Sequence, residues 1–365
     1  MHISVRALIH RYSLYGLLSC GVAYLGISLL VDVPSKVSPL ELHCIVHYDP
    51  SIAPDERSVL LTSPSPIDLL SWDLGVISPG SSPEEIERIV LPRLSGWFHR
   101  PGVSAVLLQG VRPHARHRLV NWIREEGGCW AYAPVWSIPT WITWMHTLGV
   151  DVYSSILGPS RLKRFDLEEK GLWFAIKGLA PEQIGRVERW SLPPQPGRWP
   201  RRLFYPHPAA LSVELWPESP TPQQVIQLSL PDAMDKHQAG ALGLQALQRD
   251  PLQAKLTRNW LLMGDLRAAP TLEPPHPEAG YRFKRFSIVE LFQAYPSVFP
   301  IDADPKVWGG WRGPETQIPE IIDHAFASTG QLKSVQMKKR SECWVGHSEQ
   351  RLPLMATWIP DSISE

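Results

Sequence analysis

The first pattern along the chain is a long apolar run near its beginning. Residues 12–31 (YSLYGLLSCGVAYLGISLLV) carry no charged side chain, follow Arg6, His10 and Arg11, and end before Asp32. A helix of about 20 residues rises about 30 Å, which is the thickness of the hydrocarbon core of a bilayer. The run predicts an uncleaved anchor, with the basic N-terminus in the cytoplasm and the rest of the chain outside it, in a periplasm or lumen. The side chains assigned to the span are Tyr12, Leu17, Leu18, Val22, Leu25, Leu29 and Val31.

Three other interpretations of this run stay open. The segment Leu17-Leu18-Ser19-Cys20 resembles a lipoprotein processing box, but the apolar run continues for eleven residues beyond Cys20. A cleaved signal peptide would have a shorter apolar region and a small-residue cleavage site. The run also has the length of a buried helix in a globular domain. Under the anchor hypothesis the chain is a single-pass membrane protein, and a lipid bilayer is its partner through residues 12–31.

Beyond Leu40, short apolar runs alternate with stretches of helical periodicity. The predicted strands are rich in aliphatic and β-branched residues and cover 42–47, 58–62, 103–109 and 129–136. Helices are predicted from the Ser82-Pro83 start and over 113–126, where two glycines end the pattern. An alternation of strands and helices is typical of a parallel α/β layer. We therefore expect a first α/β domain over residues 40–180.

The second half is interrupted by prolines. Residues 191–200 contain four prolines and one glycine, so residues 181–205 are predicted to form a linker. Hydrophobic periodicity then predicts a strand at 211–216, helices within 238–264 and 320–332, and a strand at 334–338. These elements predict a second α/β or α+β domain over residues 206–365, with residues 1–33 as the anchor.

Composition narrows the class of protein. Hydrophobic residues make up 44% and charged residues 20%, which is typical of a globular chain and excludes an intrinsically disordered one. The 36 Lys and Arg residues balance 36 Asp and Glu residues, giving zero formal charge. A dedicated duplex-DNA binder usually carries a basic excess, so no nucleic-acid partner is expected.

The four cysteines are Cys20, Cys44, Cys129 and Cys343, and they are far apart. This spacing contains no C-x-x-C and excludes a zinc-finger site. The three cysteines beyond the anchor allow one disulfide and one free thiol if the chain is exported. The interpretation that we favour is that all three are reduced, buried and apolar in character.

Several signatures of catalysis are missing from the sequence. It has no G-x-x-x-x-G-K-[ST] and no G-x-G-x-x-G, which removes support for a P-loop or a dinucleotide site. It also lacks G-x-S-x-G and H-E-x-x-H, so neither a serine hydrolase elbow nor a zincin helix is indicated.

The candidate metal ligands are Asp302 and Asp304, which follow the apolar stretch 298–301. Two carboxylates two residues apart can bind a hard divalent cation from one strand end. Pro305 comes next, so the alternative is a stiff surface turn. A divalent metal is expected only if the chain is an enzyme, and otherwise no cofactor is predicted.

Tryptophans supply the candidate contact residues. Trp308 and Trp311 flank two glycines and would present flat faces to a sugar or a peptide. Trp141 and Trp144 belong to a second aromatic group that would form a patch for a partner protein. Filling of the core is the alternative for both pairs.

For the remaining candidate residues, the sequence favours an ordinary structural role over a chemical one. His114 and His117 share a helical face, but three arginines flank them and would repel a metal dication. The basic and aromatic segments at 198–205 and 281–286 alternate as half-buried strands do.

The anchor, the prolines and the missing motifs favour a membrane-anchored, non-catalytic adaptor or accessory protein of an envelope or secretion assembly, which binds another protein. The alternative hypothesis is an anchored, metal-dependent enzyme that transfers glycosyl groups or hydrolyses an envelope sugar substrate. A concave site with converging carboxylates would favour the enzyme, and a broad exposed apolar patch would favour the adaptor.

Overall fold

Fifteen strands are present in the described part of the computed structural model of this chain. The structure describes residues 37–45, 64–74, 86–135, 170–191, 209–229, 259–266, 297–298, 311–312, 319–320, 323–334 and 353–360, with positions 16, 19, 84 and 295. In chain order the strands are β1 (Val37–Pro39), β2 (His43–Ile45), β3 (Ile67–Asp73), β4 (Val103–Val111), β5 (Gly128–Pro134), β6 (Gly171–Lys177), β7 (Ile184–Ser191), β8 (Ala209–Leu215), β9 (Gln223–Ser229), β10 (Asn259–Asp265), β11 (Trp311–Arg312), β12 (Pro319–Glu320), β13 (Asp323–Ala327), β14 (Gln331–Ser334) and β15 (Leu354–Ile359).

Thirteen of these strands form two sheets that pack face to face. One sheet has six strands in the order β1-β7-β8-β9-β10-β13, and the other has seven in the order β14-β15-β3-β4-β6-β5-β2. Strands β11 and β12 pair separately. The core between the two large sheets is built from alternate positions, such as Leu69 on β3, Leu107 on β4 and Leu211 on β8. This alternation follows from the two-residue period of a strand.

A helical layer covers the outer face of the seven-stranded sheet. It comprises a π-helical turn (Ile86–Val90), α1 (Leu91–Phe98) and α2 (Pro113–Glu126). Their apolar side chains pack on the other set of alternate strand positions, including Val106 and Trp173. A short 3-10 turn (Pro181–Gln183) precedes β7. Both faces of this sheet are therefore buried.

Two chain crossings join the sheets at their edges. Strands β1 and β2 are consecutive in the chain, but β1 pairs with β7 and β2 with β5, so they lie in different sheets. Strands β13 and β14 repeat this arrangement on the opposite side. Cys44 on β2 and Cys129 on β5 are direct partners in the register and form a disulfide. The favoured prediction of reduced cysteines is therefore wrong for Cys44 and Cys129.

The predicted fold class, a transmembrane helix followed by a parallel-type α/β domain and a second domain, is wrong. Among the described strands only β3–β4 and β9–β10 pair in parallel, and every other pair is antiparallel. The error has a physical cause. Strands that are buried on both faces are apolar along their whole length, as parallel strands are, so the pattern does not reveal their direction.

The predicted division into domains does not follow the sheets. Strand β15, from the predicted second domain, pairs with β3 from the predicted first domain. Strand β7 lies inside the predicted linker 181–205 and occupies an inner position of the six-stranded sheet. Strands from residues 40–180 and 206–365 thus build the same two-sheet unit.

Individual elements were predicted with unequal success. The helix at 113–126 is confirmed as α2, and Gly127 ends it with a positive φ of 74°. The helix at 320–332 is wrong, because β13 and β14 occupy that segment, and β10 lies where helix was expected up to residue 264. The strand predicted at 58–62 lies outside the described residues.

The predicted N-terminal transmembrane helix is not part of the described fold. No helix in the described ranges is long and apolar enough to cross a membrane. Of residues 12–31 the structure describes Gly16 and Ser19, which are helical and exposed. The assigned span residues Tyr12, Leu17, Leu18, Val22, Leu25, Leu29 and Val31 lie outside the described residues, and the lipid partner and the membrane localisation stay predictions.

We expect the disulfide to stabilise the fold, because the Cys44–Cys129 bridge closes a loop of 85 residues. By the chain-entropy relation such a cross-link contributes about 4.5 kcal/mol to the free energy of unfolding. The double variant Cys44→Ser, Cys129→Ser should unfold at a lower urea concentration than the oxidised protein. Reduced wild-type protein is the matched control and should unfold at the same urea concentration as the double variant. Equal midpoints for oxidised and reduced protein would contradict this expectation.

Candidate active site at one end of the sandwich

The core between the two sheets changes from apolar to polar at one end. On β3 the inward positions are Ile67, Leu69, Ser71 and Asp73 in order, and Ser71 and Asp73 are 1% and 5% exposed. On β4 the apolar inward positions are followed by Gln109, which is fully buried. Asp73 and Gln109 are direct partners in the parallel register, so both sit at the same edge of the sheet.

The six-stranded sheet has a matching polar end. Asp265 is the last residue of β10 and Asp323 is the first of β13, and the two are partners in the antiparallel register. Asp265 is 0% exposed and Asp323 is 2% exposed. Ser229 ends β9 and is the partner of Asp265 on its other side. Carboxylates from β10 and β13 therefore meet at one edge.

Two glutamines show that these polar ends belong to one site. The Gln227 Nε2 atom on β9 donates a hydrogen bond of 2.7 Å to the Leu108 carbonyl oxygen of the opposite sheet. The Gln109 Nε2 atom donates to Ser71 Oγ at 2.7 Å. A Cβ atom added at Gly264 would lie 3.2 Å from Gln109 Nε2, so β10 passes directly beside this side chain.

Glycines permit the backbone geometry at this end. Gly264 has a φ of 145°, and a Cβ atom there would collide with the Leu228 carbonyl oxygen. Gly110 has a φ of 64° and lies in an irregularity of the β4–β6 register between Leu108 and Val111. A bulge of this kind bends a strand and redirects its side chains, and such bulges are enriched next to active sites.

Among the residues that the structure describes at this end, two buried amide oxygens lack a hydrogen-bond partner. They are Oε1 of Gln109 and Oε1 of Gln227, and both residues are almost wholly buried. An unsatisfied buried acceptor costs about 1–3 kcal/mol. An oxygen of this kind is an acceptor that an ion, a ligand or a water can use.

The arrangement can bind a cation and accept protons. Carboxylate and amide oxygens are the donors that Mg²⁺ and Ca²⁺ prefer. Within the described residues, however, no group of three or more His, Cys, Asp or Glu side chains is placed to hold a metal ion. Asp73, Asp265 and Asp323 provide the acidic character of the site, and each of them takes part in other interactions of the fold.

His324 is close to the site in sequence but lies on the other side of the sheet. Strand alternation puts Asp323 and Ala325 on the inner face, while His324 pairs with Gly264 and stacks on Phe326 at a ring-centroid distance of 5.9 Å. The imidazole is 0% exposed and belongs to the packing of the outer face.

The site residues predicted from the sequence are not those of this cluster. Asp302, Asp304, Trp308, Trp141 and Trp144 lie outside the described residues. Trp311 begins β11, and its side chain also lies outside the description. These residues stay predictions.

The predicted histidine pair is confirmed as part of a helix. His114 and His117 lie in the first half of α2, and His117 Nε2 is 3.5 Å from Asn121 Nδ2 on the same helix. The structure brings no third metal-binding side chain to them within the described residues.

The sequence analysis missed the residues of the polar end. Five polar residues interrupt the inward-facing apolar positions near the end of a strand: Ser71, Asp73, Gln109, Asp265 and Asp323. That interruption was visible as a signal in the sequence. It becomes informative only when the strands are known to share one sandwich.

Known structures share this architecture. ANGEL2, described as a 2',3'-cyclic phosphatase, superposes with a TM-score of 0.51 at 11% identity, covering 88% of this chain and 98% of that chain. The human Nocturnin catalytic domain gives a TM-score of 0.48 at 15% identity, with 80% and 93% coverage. An endonuclease/exonuclease/phosphatase from Beutenbergia cavernae gives 0.48 at 13% identity, with 81% and 72% coverage. No protein-family model and no curated protein matches the sequence.

The similarity to ANGEL2 shows that this chain has the same mixed two-sheet fold. The prediction of a non-catalytic, transmembrane adaptor is wrong on this comparison, because the chain has the fold of ANGEL2, which is described as a 2',3'-cyclic phosphatase. The alternative hypothesis of a hydrolytic enzyme agrees better with the fold. At 11% identity the resemblance shows the architecture alone.

We expect Gln227→Met to reduce stability at the junction of the sheets. The substitution leaves the Leu108 carbonyl oxygen without its 2.7 Å donor inside the core, which costs about 1–3 kcal/mol in the free energy of unfolding. Urea denaturation measures this loss. Arg186→Met, at a side chain that is 71% exposed, is the control and should change stability by less than about 0.5 kcal/mol. An unchanged midpoint for Gln227→Met would contradict the importance of this hydrogen bond.

Proposed function

We propose that this chain is a hydrolase that cleaves a phosphate ester at the polar end of the sandwich. The observation that carries the proposal is the convergence of Asp265 and Asp323 with Asp73 and Gln109 at one end of the two sheets. ANGEL2, which shares the fold, is described as a 2',3'-cyclic phosphatase, and this supports phosphorus as the reacting centre.

The chemistry fits the side chains present. In hydrolysis, a water oxygen attacks phosphorus, the bond from phosphorus to the ester oxygen breaks, and the leaving oxygen takes a proton. A carboxylate such as Asp265 or Asp323 accepts the proton of the attacking water, which is the role of a general base. Gln109 is held by Ser71, so its amide can orient a bound group without moving.

A divalent cation fits this site by the chemistry of its donors. Three carboxylates alone would repel an anionic phosphate, and a cation removes that repulsion. Asp265 and Asp323 would hold it, and the unpartnered Gln109 Oε1 and Gln227 Oε1 atoms are acceptors of the same kind. Mg²⁺ is commonly bound by one or two carboxylates, with water and substrate oxygens completing its shell. When bound, such an ion supplies charge neutralisation of the phosphate.

The disulfide supports an exported location. A bridge such as Cys44–Cys129 forms and persists in oxidising compartments and is rare in the cytosol of most organisms. The basic residues before the apolar run predict the same location. Binding of another protein, the second partner predicted from the sequence, also stays a prediction. The hydrolysed substrate would then be a phosphate ester found outside the cytoplasm.

We expect Asp265→Asn and Asp323→Asn to abolish most of the activity. Each removes a proton acceptor and a negative charge from the site, so kcat/KM should fall at least about 100-fold. The assay uses p-nitrophenyl phosphate and bis(p-nitrophenyl) phosphate with Mg²⁺, and EDTA should suppress the wild-type rate.

Glu182→Gln is the matched control, because this exposed carboxylate on the 3-10 turn lies away from the polar end. It should retain the wild-type rate, and thermal melting should show that all three variants are folded. The proposal fails if the wild type hydrolyses neither ester with Mg²⁺, Mn²⁺ or Ca²⁺, or if both Asp variants keep full activity.

A further inference from the structure

Arg189 is an unusual residue of the six-stranded sheet, because its charged side chain faces the core. It is the register partner of Leu211, and strand alternation places it on the same face as Val187. Leu211 and Val187 both belong to the core between the sheets. The Arg189 side chain is half-buried, and burial lowers the pKa of its guanidinium below the usual value.

This guanidinium is incompletely satisfied. Within the residues that the structure describes, its buried Nε atom has no hydrogen-bond partner and no carboxylate forms an ion pair with the guanidinium. A buried N–H donor without a partner lowers the stability of a fold. A donor of this kind is therefore a candidate for a functional role.

The register places Arg189 at the same end of the sandwich as the carboxylates. Across the sheet, Arg189 is in one row with Leu211, Gln227, Met263 and Ala325. The next row outward contains Asp265 and Asp323. Strands β7 and β10 are three strand spacings apart, so their backbones are separated by about 14 Å. Arg189 therefore flanks the proposed site rather than touching its centre.

We propose that Arg189 binds a second phosphate group of the substrate, beyond the phosphate that reacts at the carboxylates. The inference rests on the proposed function, and it makes the substrate a molecule with at least two phosphates. A guanidinium is suited to this ligand because it matches phosphate with two parallel N–H donors. A linear polyphosphate and a phosphodiester chain share this chemistry.

Arg186 provides a matched control on the same strand. Its side chain is 71% exposed, and its Nε atom is paired with Glu214 Oε2 at 3.2 Å. Arg186 is therefore satisfied by the protein, whereas the Nε atom of Arg189 is not. Removal of either arginine changes the net charge by the same amount. A difference between the two variants thus reports a specific contact and not a general electrostatic effect.

The experiment measures binding by calorimetry to the full-length protein with Mg²⁺ present. The probes are orthophosphate, tetrapolyphosphate and a tetrathymidylate oligonucleotide. Arg189→Ala should weaken the binding of at least one of the two longer probes about tenfold relative to orthophosphate. Arg186→Ala should leave the ratio of the affinity for the longer probe to the affinity for orthophosphate unchanged. Arg189→Lys should lower this ratio less than Arg189→Ala does. The longer probe that responds identifies the source of the second phosphate.

Thermal melting separates this role from a structural one. Because Arg189 carries an unsatisfied buried donor, Arg189→Ala should keep or raise the melting temperature. A fall in melting temperature together with equal loss for all three probes would overturn the inference. So would equal binding ratios for Arg189→Ala and Arg186→Ala. Binding that depends on Arg189 without hydrolysis of any ester would instead overturn the proposed function and leave the anion site in place.

Discussion

The direct packing of two sheets against each other is the constraint on which the rest of this structure depends. Because strands from both sheets point alternate side chains into one shared core, every inward position must be apolar or find a polar partner. At one end polar side chains replace the apolar ones at inward positions: Asp73, Gln109, Asp265 and Asp323 are all buried there. The hydrogen bond from Gln227 to the Leu108 carbonyl crosses between the sheets at that end. The candidate site is thus a polar region at one end of an otherwise apolar core.

Parts of this fold could be predicted from the sequence, and the reasons are local. The α2 helix has Pro113 at its start and Gly127 at its end, so its bounds are fixed by neighbouring residues. The apolar segment around Leu107 was correctly predicted as a strand. Strand direction and sheet order depend on contacts between distant segments, which no short window contains. For that reason the mixed topology was mistaken for a parallel one, and β13 for a helix.

The candidate site was unpredictable for a related reason. Asp265 and Asp323 are 58 positions apart, and neither lies in a recognisable motif. Asp302 and Asp304 were predicted instead, because two carboxylates within a short segment form a recognisable metal-binding pattern. Arg189 was also passed over, since its segment was expected to be a linker. The feature that marks Arg189 is its buried Nε atom without a described hydrogen-bond partner, and this feature depends on how the folded chain packs.

One pairing near the end of the chain has a consequence for biosynthesis. Strand β15 lies between β14 and β3, and Thr357 Oγ1 donates a hydrogen bond to Asp68 Oδ1 across a separation of 289 residues. Contacts of such long range delay folding, because the intervening chain must be closed into a loop first. The seven-stranded sheet therefore stays incomplete until β15 has been synthesised and can pair with β3. Until then β3 has an open edge, which exposes backbone hydrogen-bonding groups to pairing with another chain.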